Sequence, residues 1–172
     1  MNHPSIVGIT ASGTENEMPY FVMELVEDGK PITKYCDQKR LTIEERLKLF
    51  LKLCDAIKHA HQKLVIHRDL KPCNVLVTEI DGVSQPKVID FGLAKAMETP
   101  LDDAKVTHPF DVIGTPQYMS PEQALGKVHE IDVRADVYAL GVILFELLTG
   151  GTPMDEDTVA RIKRSPREIF GI

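Results

Sequence analysis

The sequence predicts an α+β chain that is mainly helical, and three observations point there. Two short apolar runs near the N-terminus, Ile6 to Ile9 and Tyr20 to Val26, flank a polar stretch from Thr10 to Pro19, the pattern of two strands joined by a turn. Two longer segments, one after Thr42 and one from Ala135 to Leu148, are apolar over helical lengths. Short extended pieces lie between them, separated by loops that carry Asp, Asn, Gly and Pro.

Taken in order, the first strand pair ends where Glu27-Asp28-Gly29-Lys30-Pro31 breaks extended structure. The first long helix opens on Thr42 with Glu45 three residues later, a capping box. Ile43, Leu47, Phe50, Leu51, Cys54 and Ile57 recur at helical spacing and predict its apolar face. Extended pieces are expected at Leu64 to His67, Val75 to Val77 and Lys87 to Ile89. The stretch from Leu93 to Pro121 is long and without period, which inside a domain usually marks a functional loop. The second long helix stops at Thr149-Gly150-Gly151, and the charged tail from Asp155 to Phe170 is expected to be partly helical.

Composition bounds the function. With 172 residues, 43% hydrophobic and 27% charged, the chain can bury a core and reads as a soluble globular protein. A net charge of −6 disfavours nucleic acid or an acidic membrane as the main partner. Three cysteines without paired spacing, and no secretion signal, fit a reducing cytoplasm. Cys54, His59 and His61 lie close together but lack a second ligand pair at metal-site spacing, so Cys54 is expected as a helix residue rather than a zinc ligand. The segment from Val137 to Leu148 is too short to span a bilayer and contains Glu146.

Three motifs carry chemistry: His67-Arg68-Asp69-Leu70-Lys71-Pro72-Cys73-Asn74, then Asp90-Phe91-Gly92, then Gly114-Thr115-Pro116-Gln117-Tyr118-Met119-Ser120-Pro121-Glu122. Phosphoryl transfer from ATP needs a hard divalent metal on oxygen ligands, which an amide and a carboxylate, Asn74 and Asp90, supply. It needs a carboxylate to accept the attacking hydroxyl's proton, a task that suits Asp69, and a cation to neutralise the moving phosphoryl group, which suits Lys71.

In order and spacing these motifs resemble those of protein kinases: a catalytic loop, a metal-binding triplet and an Ala-Pro-Glu motif with Ser120 in place of Ala. His3-Pro4-Ser5-Ile6-Val7, Phe21-Val22-Met23-Glu24-Leu25-Val26 and Ala135-Asp136-Val137-Tyr138-Ala139-Leu140-Gly141 resemble further parts of that family, and the likeness runs from Asn2 to about Pro153. It implies a protein kinase-like fold, mainly the helical C-terminal lobe, with residues 1–26 the end of the small lobe and hinge and residues 27–172 an incomplete large lobe. The motif details are most similar to bacterial Ser/Thr kinases of the planctomycete type. Cys73 departs from the acidic or small residue common at its place.

The resemblance implies ATP and Mg2+ as cofactors and a protein with a Ser/Thr acceptor as substrate. Asp69 is then the base, Lys71 the phosphate contact, and Asn74 and Asp90 the metal ligands. Met23 becomes the gatekeeper, the backbone of Glu24 and Val26 holds adenine, and Leu76 packs under the ring. Ile9, His67 and Phe91 are expected to stack, Gly92 completes the triplet, and Asp136 is expected to bond to the catalytic-loop backbone. Lys71 and Thr115 point to Ser/Thr rather than Tyr specificity. Arg68 suggests control by a phosphate on the activation loop, at Thr99 or, slightly preferred, Thr107. Glu122 is expected to be buried and to lack the arginine that partners it in the family.

The Gly-rich loop, strand lysine and helix glutamate of the family are expected to precede His3 and so to fall outside this chain, consistent with a misplaced gene start or a split gene. Turnover by the chain alone is not expected without them. Three readings stay open on the sequence: an ATP-dependent Ser/Thr protein kinase, a non-catalytic kinase remnant that docks a partner, and a decayed fragment.

Overall fold

The structure is a computed structural model and describes residues 2–16, 18–91 and 116–164. The chain divides into two units, Met1–Lys63 with Pro72–Asp90, and Leu64–Lys71 with Phe91–Ile172.

The first unit is built on two small antiparallel sheets and two helices. β1 (Ile9–Glu15) and β2 (Met18–Met23) form a hairpin in which Glu15 faces Met18 and Ile9 faces Met23, with a register shift between Ile9 and Ala11. The polar stretch expected to be a turn is thus mostly strand. Its residues stay solvated, so no apolar alternation announces it. Ile6, expected in the first strand, instead forms a lone parallel bridge to Val88.

β3 (Lys30–Pro31), β4 (Val75–Ile80) and β5 (Val83–Val88) form the second sheet in that order. β4 and β5 are joined by two residues, Asp81 and Gly82, with φ of 50° and 74°. Positive φ at both central positions is what a tight type I′ turn requires, and Asp-Gly is a favoured pair for it. Val75, Val77, Pro86 and Val88 form the buried face of this sheet.

Helix α1 (Ile32–Gln38) buries Ile32, Tyr35 and Cys36. The Tyr35 hydroxyl lies 2.8 Å from Glu79 Oε1 and 2.7 Å from Ser84 Oγ, which ties α1 to the β4–β5 hairpin. Burial, ahead of these partners, pushes its phenol up from its ordinary value.

Helix α2 (Ile43–Gln62) starts at the expected capping box: the Thr42 N–H donates to Glu45 Oε2 at 2.8 Å, and Thr42 Oγ1 accepts from the Glu45 N–H. Its buried face differs from the expected one. Leu49, Leu53, Ala56, Ile57 and Ala60 are buried, while Ile43 and Leu51 are 63% and 62% exposed. Both stripes obey a helical period. The alanines give the buried one less apolar weight, though they let the helix approach β5 closely. Cys54 is half-buried on this helix, and burial raises its thiol's pKa.

The second unit carries α3 (Pro121–Ala124), α4 (Val133–Thr149) and α5 (Glu156–Arg164). α4 is capped by Asp132, which accepts from the Arg134 N–H at 2.8 Å, and ends at Gly150 with φ 82°. Ala135, Ala139, Leu140, Val142, Ile143 and Leu147 are buried along it. Leu64 to His67, expected to be extended, form no strand: Leu64 lies in a turn with φ 58°, and residues 65–67 pair with no strand among the described residues. No helix among the described residues is long and apolar enough to cross a membrane.

Candidate active site

In the first unit the β4–β5 hairpin positions Asn74 and Asp90, the two residues expected to hold metal. Asn74 immediately precedes β4, and Asp90 lies two residues beyond β5, whose Val88 faces Val75. The Asn74 carbonyl accepts from the Ile89 N–H at 3.0 Å, so the two segments are tied together at the open end of the hairpin. Asn74 is buried, and the Cys73 thiol lies 3.8 Å from its Oδ1. Asp90 is half-buried and holds φ 63°, a left-handed conformation that Asp tolerates better than most side chains do. Among the described residues no group of three or more His, Cys, Asp or Glu is arranged as a metal cage. An amide and a carboxylate oxygen instead suit Mg2+, which takes few protein ligands and completes its shell with phosphate oxygens and water.

The same unit carries the expected adenine-binding residues. Met23 ends β2 half-buried, and the Glu24 N–H donates to the Gly8 carbonyl at 3.1 Å. The Val26 carbonyl accepts from the Gly29 N–H at 3.2 Å, turning the chain toward β3. A Cβ at Gly29 would stand 2.8 Å from Val26 Cγ1 and 3.3 Å from Leu76 Cβ. Gly29 therefore lets the Val26 and Leu76 side chains lie close together, a requirement that reading it only as a strand breaker missed. Glu24 Oε1 sits 3.6 Å from Lys87 Nζ.

In the second unit the loop Leu64–Lys71 is held from below by α4. Asp136, fully buried in the first turn of that helix, accepts from the His67 N–H through Oδ2 and from the Arg68 N–H through Oδ1, each at 2.9 Å. The His67 ring stacks at a tilt on Phe91, with centroids 4.8 Å apart, and its Nδ1 accepts from the Asp69 N–H at 3.3 Å. Ile9, expected in the same stack, belongs to the first unit and is 49% exposed on β1.

Arg68 holds φ 68°. A left-handed non-glycine residue stores strain and persists only where its surroundings over-determine it. Here the Asp136 bond fixes its N–H, and the Gln123 side-chain amide donates to its carbonyl. Asp69 follows directly, with Lys71 Nζ 2.7 Å from its Oδ2. The lysine side chain is 18% exposed and the carboxylate 46%, so the pair opens to solvent from the carboxylate side.

The segment that begins at Pro116 is anchored twice in this unit. The Tyr118 hydroxyl donates to Glu146 Oε2 on α4 at 2.6 Å, and Gln123 reaches Arg68 as above. Neither residue has a sequence signature for its partner: Tyr118 sits in the third motif without a role read for it, and Gln123 follows directly after that motif. Glu122 is half-exposed rather than buried: it lines a cleft of about 280 Å3 with Pro121, Glu130, Arg134 and Tyr138, so the expected desolvation cost is relieved. Burial and then the Glu122 charge push the Tyr138 phenol up. Gly92, Thr99, Thr107, Gly114 and Thr115 lie outside the described residues.

Comparison with known proteins gives the family. A family model described as "Protein kinase domain" matches residues 1–171. The chain is 41% identical over 163 residues to the serine/threonine-protein kinase PrkC of Bacillus subtilis, covering 94% of this chain and 24% of the relative. It is 42% identical over 163 residues to a probable serine/threonine-protein kinase PknB of Lactococcus lactis, with the same coverage. To PknB of Mycobacterium tuberculosis (strain ATCC 25177 / H37Ra) it is 38% identical over 163 residues, covering 92% of this chain and 25% of the relative. The chain thus spans about a quarter of the length of these relatives. With a domain model matched almost end to end and bacterial kinases as relatives, the chain belongs to the protein kinase domain family, in its bacterial Ser/Thr group.

Proposed function

We propose that this chain carries the phosphoryl-transfer residues of an ATP- and Mg2+-dependent Ser/Thr protein kinase. The observation that carries the reading is the Asp69–Lys71 pair on a loop whose backbone is fixed by the buried Asp136 carboxylate. Asp69 accepts the proton of a substrate Ser or Thr hydroxyl as its oxygen bonds to the γ-phosphorus of ATP. The bond from that phosphorus to the β-γ bridging oxygen breaks, and ADP leaves. Lys71 sits beside the base, where its charge offsets the negative charge of the transferring group. Asn74 and Asp90 hold Mg2+, which when bound neutralises the phosphates. Met23, Glu24, Val26 and Leu76 form the adenine site, supported by the close approach at Gly29.

Specificity for Ser and Thr rests on Lys71 and Thr115, and control by a phosphate on Thr107 that pairs with Arg68 belongs to the same reading. Three free cysteines support a reducing, cytoplasmic setting. The planctomycete likeness rests on the motifs alone.

Thermal unfolding with and without Mg2+ and ATP tests the proposal, because a ligand that binds only the folded state raises the midpoint. The parent is expected to shift upward, and Asp90→Asn to lose the Mg2+-dependent part of the shift. A parent midpoint that ignores both ligands would refute the nucleotide site and favour a non-catalytic docking module.

A further inference from the structure

We propose that Gln123 is a positioning residue for the catalytic base, coupling the segment Pro116–Leu125 to the loop that carries Asp69. This rests on the kinase reading above. The Gln123 side chain is used at both ends. Its Oε1 accepts from the Ser120 N–H and from Ser120 Oγ, each at 3.1 Å, which closes the first turn of α3. Two donors on that side fix the orientation of the amide, so its NH2 must point away from Ser120. It points at the Arg68 carbonyl and donates to it.

That carbonyl belongs to the peptide joining Arg68 to Asp69. The peptide on the other side of the Arg68 Cα is held by Asp136. The two side chains together grip both peptide groups around a residue at φ 68°, and the direction in which Asp69 leaves the loop follows from that grip. Because Ser120 is buried and Tyr118 is bonded to Glu146 on α4, Gln123 reaches the loop only when its own segment is seated. Seating of that segment and orientation of the base become one event.

The amide's two ends can be separated by Gln123→Glu. A carboxylate keeps both acceptor bonds to Ser120 but sets an oxygen against the Arg68 carbonyl. Losing one such bond corresponds to about a tenfold change. The expected result in the 172-residue chain is amide hydrogen exchange about tenfold faster at Arg68 and Asp69, with Ala124 and Leu125 unchanged and the melting midpoint held. In a phosphoryl-transfer assay, kcat falls by a similar factor and the KM for ATP does not move. Gln123→Met, which carries no repelling charge, gives the same loop effect but also loosens α3, and it serves if the glutamate variant does not fold. Ser120→Ala is expected to loosen α3 without accelerating exchange at Arg68 and Asp69. If Gln123→Glu leaves exchange at Arg68 and Asp69 at the parent rate, Gln123 is a helix cap only and the proposal is overturned. Turnover by the parent is not required: a parent whose melting midpoint ignores Mg2+ and ATP sinks the nucleotide-site reading, and the exchange comparison still decides whether Gln123 holds the loop.

Discussion

Asp136 shows how much one side chain can fix. A single buried carboxylate satisfies two backbone donors of the loop before the base. Asp136→Asn leaves only one acceptor oxygen for both N–H groups, and the expected loss is about 2–3 kcal/mol of unfolding free energy, read by denaturant titration. The thiols separate by exposure: burial pushes Cys36 up to about 11, whereas Cys73 is exposed. Under native conditions a disulfide reagent is expected to label Cys73 first and Cys36 only as the chain unfolds. His3 lies 4.9 Å from the His59 ring, and its pKa is lowered by burial and then by His59, against a smaller opposing effect of Asp55. The unfolded chain therefore takes up this proton first as pH falls. The stability His3 contributes is whole above its unfolded value near 6.5 and is lost as the pH falls from there to its lower folded value. Melting midpoints at pH 7.5 and 5.5 should differ more for the parent than for His59→Gln.

At the scale of elements, what could be read from the sequence depended on whether the cause was local. The capping box of α2 needs only Thr42 and Glu45, four residues of chain, and it stands as expected. Thr42→Ala should cost about 1 kcal/mol of stability, seen as a lower midpoint in urea. The Asp81-Gly82 turn has an equally local cause, yet the stretch between Val77 and Lys87 was expected only as a loop, and the outer halves of β4 and β5 went unread because their residues are mostly solvated. The buried side of α2 was not legible, because Ile43, Leu47 and Leu51 form a second stripe as periodic as Leu49, Leu53 and Ala56. Only the partner sheet decides between them. β1 escaped because a solvated strand of Thr, Ser, Gly and Glu has no alternation to read. The Gln123 bond escaped because its acceptor is a backbone carbonyl 55 residues away, and carbonyls carry no sequence mark.

For the whole molecule, the motifs pointed to the family, and the structure adds the contacts that hold the backbone around His67, Arg68 and Asn74. The exposed stripe of α2 is also a solubility matter, since contiguous apolar surface promotes association. Replacing Ile43 and Leu51 by Gln should reduce self-association in sedimentation runs at raised concentration. Stability should stay within about 0.5 kcal/mol per site, as is usual for surface positions.

The β4–β5 hairpin acts as a rigid calliper. Its jaws are Asn74 and Asp90, its hinge pin is the exposed Asp81-Gly82 turn, and the paired strands between them set the gap. Lengthening the chain at the pin leaves the jaws untouched, because every rung from Ile80–Val83 to Val75–Val88 is kept. Adding one residue within either strand instead slips the register and turns alternate side chains over. The tip is therefore the place to graft a fluorescent reporter or an epitope into this protein.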